Sequence, residues 1–573
     1  MTQKSHVSVR ESERPMARVV VDTIEWHRVR MRLAGRILDP KLGATLGPAP
    51  EFFVVSTLTD QCVSLPGATR DGERFVIECN AMRLDGLYPL QSGEWALFVR
   101  GAAMVGAAAA SATGDTGAAV AATPSIPVNM ADAMTLPVRT YGGLFTTRAY
   151  RYWAVPSALP VTGQFALSIN YEKTPRAPGP TRLAGLKRSL KSLKRRLRTA
   201  LYAAMYAAAR RLVRKNGHRI LFASDSRPEL SGNLQHIHAR MIERGLNHDY
   251  RLFTAFKPSI RARRPFTDKF LLPYRLATAD VILVDDFHPM LYKLPFGPEV
   301  RIIQVWHASG AFKTVGYSRI GKPGSPSPFS NSHKNYTHAI VSSEHDVPFY
   351  AEAFGLPEER IVATGIPRMD LFFDEAYRAR AIEAVYAALP RLRGSRVMLF
   401  APTFRGVGPS DASYDYDQLN LAALYALCEE QDSVVVFKMH PFIREPLLIP
   451  EEFASRFINA TDSREINELL LVADLVITDY SSVVFEYSTL KRPMLFFAYD
   501  LEEYVASRDF YEEFAEFVPG RIVKTFSALL EALRSGDFES EKVEQFAATH
   551  LRYLDAGSTD RVIDQLILGR DAS

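Results

Sequence analysis

The stretch LVITDYSSVVFEYSTLKRPMLFF, residues 475–497, decides the fold. Residues 475–478 are apolar whichever way they face, as a strand buried on both sides must be. A polar turn, Asp479 to Ser482, follows; VVFEYSTL then reads as a helix, and 493–497 as a second buried strand. Two such strands joined through a helix are the unit from which parallel sheets are built. The same texture begins after Asn216, with short apolar strands at 219–223, 281–284, 302–306, 339–341, 360–363, 397–400 and 434–439 and helical patterns between them. That supply predicts two α/β domains, 217–390 and 391–573, the second carrying the C-terminal helices, with a hinge at 390–394.

In open parallel sheets ligands bind beyond the carboxyl ends of the strands, so polar residues at those ends are candidates. Asp479, Tyr480, Ser481 and Ser482 put two hydroxyls and free N–H groups at a helix start, which suits a phosphate or a plain N-cap. His440 and Pro441 follow 434–439, which puts the imidazole at the same rim, where it is either structural or functional. Thr403 and Arg405 follow 397–400, and the guanidinium suits phosphate or a salt bridge. His307 ends 302–306 and precedes Ala308, Ser309 and Gly310, small enough for something to approach the backbone closely.

Before residue 216 the composition differs. Residues 1–15 are polar and expected to be disordered. Residues 16–173 hold short β-rich pieces at 17–21, 52–58, 74–78, 95–99 and 164–169 with few helical patterns, which predicts a β-sandwich-like accessory domain. The Ala-rich stretch 101–122 reads as low-complexity strand or loop, and a Pro-rich turn at 174–181 leads out of the domain. A linker, 174–216, comes next: between Lys173 and Ser224 there is no Asp or Glu, while Lys187, Arg188, Lys191, Lys194, Arg195 and Arg196 crowd together. Leu183, Leu186, Leu190, Leu193, Leu197 and Leu201 recur at spacings of three and four, so the segment is an amphipathic basic helix. It suits an anionic membrane surface or packing on a neighbouring domain; without aromatic interleaving it does not suggest nucleic acid.

The chain has 573 residues, 47% hydrophobic and 23% charged, with a net charge of +5, ordinary values for a multidomain globular protein. Cys62, Cys79 and Cys428 are odd in number and lack metal-ligand spacing, which argues against a disulfide framework or a zinc site and favours a reducing compartment. No signal-peptide core or long apolar run is present, so a cytoplasmic protein, peripheral on the inner face of the membrane, is expected.

Taken in order, Trp306-His307, SSEHD (342–346), TGIPRMD (364–370), APTFR (401–405), KMHP (438–441), ITDYSSVVFEYSTLKRP (477–493) and the tail from FFAYDLEEY to PGRIVKT (496–525) resemble the CDP-glycerol glycerophosphotransferases that build teichoic acids and related polymers. The resemblance covers roughly residues 217–540. It implies a GT-B architecture, two Rossmann-like domains facing a cleft, with the acceptor on the N-terminal domain and the donor nucleotide on the C-terminal one. It implies transfer of glycerol phosphate, or a related polyol phosphate, from a CDP-activated donor to a hydroxyl of a lipid-linked or polymeric acceptor, releasing CMP. By similarity His307 is the general base, His440 stabilises the leaving CMP, and Ser481 and Ser482 hold phosphate oxygens, with Thr403 and Arg405 on the donor rim. No cofactor and no resident metal are implied.

Two departures bear on specificity. The family's His-Gly-Thr-Pro-Leu-Lys-Lys is here His307 to Lys313 with Ala308, Ser309, Gly310, Ala311 and Phe312 between, an altered acceptor rim. Glu486 replaces the family's Asp near the donor's polyol hydroxyls, so the alcohol is glycerol or another such as ribitol. The alternatives are a GT-B glycosyltransferase using a nucleotide sugar, which the fold permits, and an inactive membrane-docked scaffold.

Overall fold

A computed structural model of the chain describes residues 18–101, 125–131, 134, 137–145, 148–175, 182–260, 262–322, 325–406 and 411–570. The expected disordered N-terminus, the Ala-rich stretch and most of the Pro-rich turn lie outside those residues. By contacts the chain forms two compact units: Met1–Ser192 with Val315–Lys334 and Glu352–Leu356, and Leu193–Thr314 with Asn335–Ala351 and Pro357–Ser573.

The first unit is built of a five-stranded and a seven-stranded sheet. Strand Arg74–Asn80 buries Phe75, Ile77 and Cys79 and turns Arg74 and Glu78 outward, the period-two alternation of a sheet with one covered face. Both sheets feed one core, in which Phe75 of the smaller packs on Phe52 of the larger with ring centroids 4.6 Å apart. Several strands escaped the sequence reading, among them Arg148–Ala158, whose run RAYRYWAVPSA mixes arginines and a proline into the pattern. Val315–Lys334 completes the unit from a distant part of the chain: Tyr317 and Ile320 join the core, and the Tyr317 hydroxyl donates to Ser330 O at 2.6 Å.

The basic segment is one helix, Arg182–Leu212. Leu193, Leu197 and Leu201, four residues apart and so on one face, are 53%, 62% and 58% exposed, and Lys194 and Arg196 are exposed beside them. The side chains of Lys187, Arg188, Lys191 and Arg195 lie outside the described residues. From Leu193 on the helix belongs to the second unit, and its end packs there: buried Tyr206 donates to Pro295 O at 3.0 Å and meets the Phe296 ring at 5.6 Å. Among the described residues, packing thus accounts for the last turns of the helix, within the second unit. Among the described residues no helix is long and apolar enough to cross a membrane.

The second unit holds two six-stranded parallel sheets. The N-terminal sheet runs Arg251–Phe256, Arg219–Ser224, Val281–Val284, Arg301–Gln304, His338–Val341, Ile361–Ala363; the C-terminal sheet runs Phe457–Asn459, Ser433–Phe437, Arg396–Phe400, Leu475–Thr478, Met494–Phe497, Arg521–Val523. Every residue of the central strands Val281–Val284, Leu475–Thr478 and Met494–Phe497 is buried, as strands covered on both faces require. This is the GT-B arrangement of two doubly wound halves. In the C-terminal half strand order reverses between Arg396–Phe400 and Leu475–Thr478, so their carboxyl ends open a crevice there. The last helices depart from the sequence division: Val562, Ile563, Leu566 and Ile567 join the core of the N-terminal sheet, and Arg240 and Arg244 pair with Asp560 and Asp564 at 2.8 and 2.7 Å.

Candidate active site

His307 is placed by a strained corner. The strand expected at 302–306 ends at Gln304, and Trp306 turns into the left-handed region with φ +44°, a conformation that costs a bulky residue about 1–3 kcal/mol. Two buried amides hold it there. Gln304 Oε1 accepts from Trp306 N at 2.9 Å, and Asn233 Nδ2 donates to Val305 O and Trp306 O, each at 2.9 Å. The turn throws the exposed His307 ring outward, tilted by 32° against the Trp306 ring with centroids 4.3 Å apart. His307 Nδ1 lies 3.2 Å from the carbonyl oxygen of Asp285. A carbonyl only accepts, so Nδ1 carries the proton and Nε2 presents a lone pair.

His440 has the opposite arrangement. Its Nδ1 accepts from Phe442 N at 3.1 Å, which leaves the proton of the neutral ring on Nε2. Burial, with the cation of Lys313 adding to it, lowers its pKa, so the ring stays neutral and acts as a donor. Phe404 and Phe442 hold it between them, each 4.7 Å away by ring centroids. His440 lines a cleft of about 610 Å³ at the crevice of the C-terminal sheet, together with Ala401, Lys438, Thr461, Arg464 and Ser481. The Lys438 ammonium donates to Ala460 O at 3.1 Å and Thr461 O at 2.7 Å, bracing the cleft wall.

Ser481 and Ser482 stand at the start of helix Val483–Ser488. Ser482 makes no side-chain capping bond, and Ser481 Oγ accepts from Val483 N only at 3.4 Å. N-capping therefore accounts for little of either hydroxyl. Thr403 N donates to Asp479 Oδ1 at 2.7 Å, and Thr403 Oγ1 is buried without a hydrogen-bond partner among the described residues.

Arg405 and Glu486 are placed differently from the sequence expectation. Arg405 forks onto Asp500 at 2.6 and 2.8 Å and donates to Asp479 Oδ2 at 2.8 Å and Thr403 O at 2.6 Å, under the rings of Tyr480 and Tyr499. Four hydrogen bonds thus engage its five N–H donors largely within the protein, which suits a residue that positions the crevice. Glu486, 2% exposed, accepts from Ser309 Oγ at 2.7 Å and pairs with Arg368. The small residues after His307 likewise admit the protein itself: a Cβ on Gly310 would lie 2.1 Å from the Phe485 ring. The rim 308–310 is a seam between the two halves.

Sequence reasoning passed over Lys313, which sits over the Tyr504 ring at 5.3 Å. Burial draws its pKa down to about 8, against the pull of Asp479 and aided by Arg508 and Arg405. It was legible as the retained lysine of the His307 motif. Asn233 and Arg368 carry no local signal, since each acts on a residue far away in the chain.

Residues 204–568 match the family described as CDP-Glycerol:Poly(glycerophosphate) glycerophosphotransferase. Among similar proteins, the teichoic acid ribitol-phosphate polymerase TarK of Staphylococcus aureus is 48% identical over 64% of this chain and 72% of its own length. TarL of the same organism, also a teichoic acid ribitol-phosphate polymerase, is 46% identical over 64% and 66%. The teichoic acid poly(ribitol-phosphate) polymerase of Bacillus spizizenii is 42% identical, over 66% of this chain and 60% of that one, so the shared segment falls short of the full length of these relatives. Among solved structures, the wall teichoic acid polymerase TagF superposes with a TM-score of 0.52 at 21% identity over 68% of this chain and 98% of that chain, which shows the same fold.

Proposed function

Because this chain belongs to the CDP-glycerol:poly(glycerophosphate) glycerophosphotransferase family, we propose that it transfers a polyol phosphate from a CDP-activated donor to a hydroxyl of a teichoic-acid-type acceptor, with ribitol as the polyol. The observation that carries the chemistry is the opposed proton placement of its two histidines. The acceptor oxygen attacks the polyol-bearing phosphorus while His307 Nε2, held bare by the Nδ1 bond to Asp285 O, takes the hydroxyl proton. The bond from phosphorus to the bridging oxygen breaks, and CMP leaves with that electron pair. His440 Nε2–H, directed by the Phe442 N contact to Nδ1, donates to the departing phosphate as negative charge develops there. Ser481 and Ser482, largely unused as caps, bind phosphate oxygens in the cleft, and Lys313 adds a cation. Thr403 completes the donor rim, Arg405 acts through Asp479 and Asp500, and no cofactor takes part.

Ribitol rests on the names of the relatives at 42–48% identity, while glycerol-phosphate primases match at 26–28%. The deciding experiment is a donor panel: CDP-ribitol, CDP-glycerol and UDP-sugars, with nucleotide release and the mass of the extended acceptor as readouts. Rapid CMP release from CDP-ribitol with a ribitol-phosphate mass increment supports the reading. UDP release from a sugar donor, or no release from any donor, overturns it.

The site of action follows from the substrates, since a lipid-linked acceptor requires the enzyme at a membrane surface. The exposed leucine stripe of Arg182–Leu212 with its flanking cations supports peripheral attachment to an anionic leaflet, on the cytoplasmic side where the nucleotide donor is made.

A further inference from the structure

We propose that His345, Glu512 and His550 bind one divalent transition-metal ion of the zinc class, in a site that ties together the two halves of the second unit. His345 lies in the turn Glu344–Asp346 after strand His338–Val341, Glu512 follows helix Leu501–Arg508, and His550 ends helix Glu541–His550. No sequence spacing announces the set, because its members come from three distant segments.

Their candidate ligand atoms all lie within 4.8 Å of one another. His345 Nε2 is 3.0 Å from Glu512 Oε1, and the His345 and His550 rings meet edge to face at 4.7 Å. Two further polar atoms of the cluster are buried without hydrogen-bond partners among the described residues, Glu512 Oε2 and His550 Nδ1. His550 is 5% exposed and boxed by the rings of Phe546, Phe517 and Phe485 at 4.4, 5.2 and 5.7 Å. A buried polar atom without a partner costs about 1–3 kcal/mol and native proteins keep few of them. Two in one cluster, beside a third potential ligand, point to something that satisfies them together.

Two imidazoles and one carboxylate are a zinc donor set, with a fourth position open to water. Tetrahedral zinc with bonds of about 2.0–2.2 Å holds its ligand atoms about 3.4 Å apart, so the widest pair closes by roughly 1.4 Å as the ion enters. The proton shared by His345 and Glu512 leaves in exchange, since metal and proton compete for the same lone pairs. None of the three residues lines the donor cleft, so the ion's role is to fix the two halves, independent of which polyol is transferred.

The test uses untagged full-length protein stripped with a chelator and dialysed against Zn²⁺, with bound metal counted by mass spectrometry. In a parallel sample Co²⁺ reports coordination through its visible spectrum. The expected result is one ion per chain, tetrahedral cobalt bands and a higher Tm with Zn²⁺ than without. Glu512→Gln, which keeps size and shape, and His345→Ala should each weaken binding at least about 100-fold, beyond the loss typical of an outer-shell change, and abolish the Tm rise. Substoichiometric metal in the wild type, or unchanged affinity in both variants, overturns the proposal.

Discussion

Ser309 of the N-terminal half donates a 2.7 Å hydrogen bond to the buried carboxylate of Glu486 in the C-terminal half, and Arg368 pairs with the same oxygen. A substitution expected to tune the polyol pocket thus also fastens one half to the other. Glu486→Ala leaves the Arg368 guanidinium without its carboxylate and should cost about 3–5 kcal/mol. Glu486→Gln keeps an acceptor for Ser309 and should cost less. Denaturation curves of the two variants, with equal losses counting against the pairing, check this.

His307→Ala should lower turnover by about two to four orders of magnitude with donor affinity near wild type. Asn233→Ala tests the corner that aims it. Freed of the amide bonds at Val305 and Trp306, the turn relaxes, and kcat should fall by about 10²-fold while donor Kd is unchanged. Parallel loss of donor binding in either variant would place the corner in the donor site.

Ser481→Ala with Ser482→Ala should weaken binding of the CDP-polyol, because hydrogen bonds to charged oxygens are worth about 1.5–3 kcal/mol each. Tm should barely move, since neither hydroxyl makes a strong cap. Calorimetric titration with thermal melts separates the two outcomes.

Lys313 gives a pH signature. With its pKa held at about 8 in the fold and near 10.4 unfolded, the unfolded chain binds the proton more readily between those values. This residue's contribution to stability therefore rises as pH goes from about 8 to about 10.4. Its cation disappears over the start of the same window, so donor affinity should decline above about pH 8. Lys313→Arg should hold affinity to higher pH, and a Kd-versus-pH series on both proteins reads the difference.

Binding to anionic vesicles should weaken as salt rises without vanishing, because charge attraction is screened over about 8 Å at physiological salt while leucine burial is not. Changing Lys187, Arg188, Lys191, Lys194, Arg195 and Arg196 to Gln should release the protein from the vesicles and leave transfer to a soluble acceptor analogue intact. Co-sedimentation that survives the change would move the anchor elsewhere.

What the sequence disclosed and what it hid divide along locality. Strands 281–284 and 475–478 are legible because burial on both faces writes an uninterrupted apolar run, and the residues just past such strands are legible as candidates because the fold places them at a crevice. Edge strands Phe457–Asn459 and Arg521–Val523 are only three residues long and carry no such run. Arg405 and Glu486 look like ligand contacts in the sequence because their partners Asp500, Ser309 and Arg368 are remote in it. The Trp306 corner is invisible for the same reason: Asn233, which holds its carbonyl, lies on another element.

The accessory unit draws Tyr317 and Ile320 from beyond the start of the next sheet, and this sets an order of events during synthesis. When residue 175 leaves the ribosome the two sheets have all their strands but lack part of their core. At about 5–20 residues per second the segment Val315–Lys334 follows on the order of ten seconds later, after strands of the second unit have appeared. Until then the nascent accessory unit lacks the Tyr317 and Ile320 side chains of its core. A catalytic fragment begun at residue 193 would meet the converse problem, with Tyr317 and Ile320 deprived of the core they were made for.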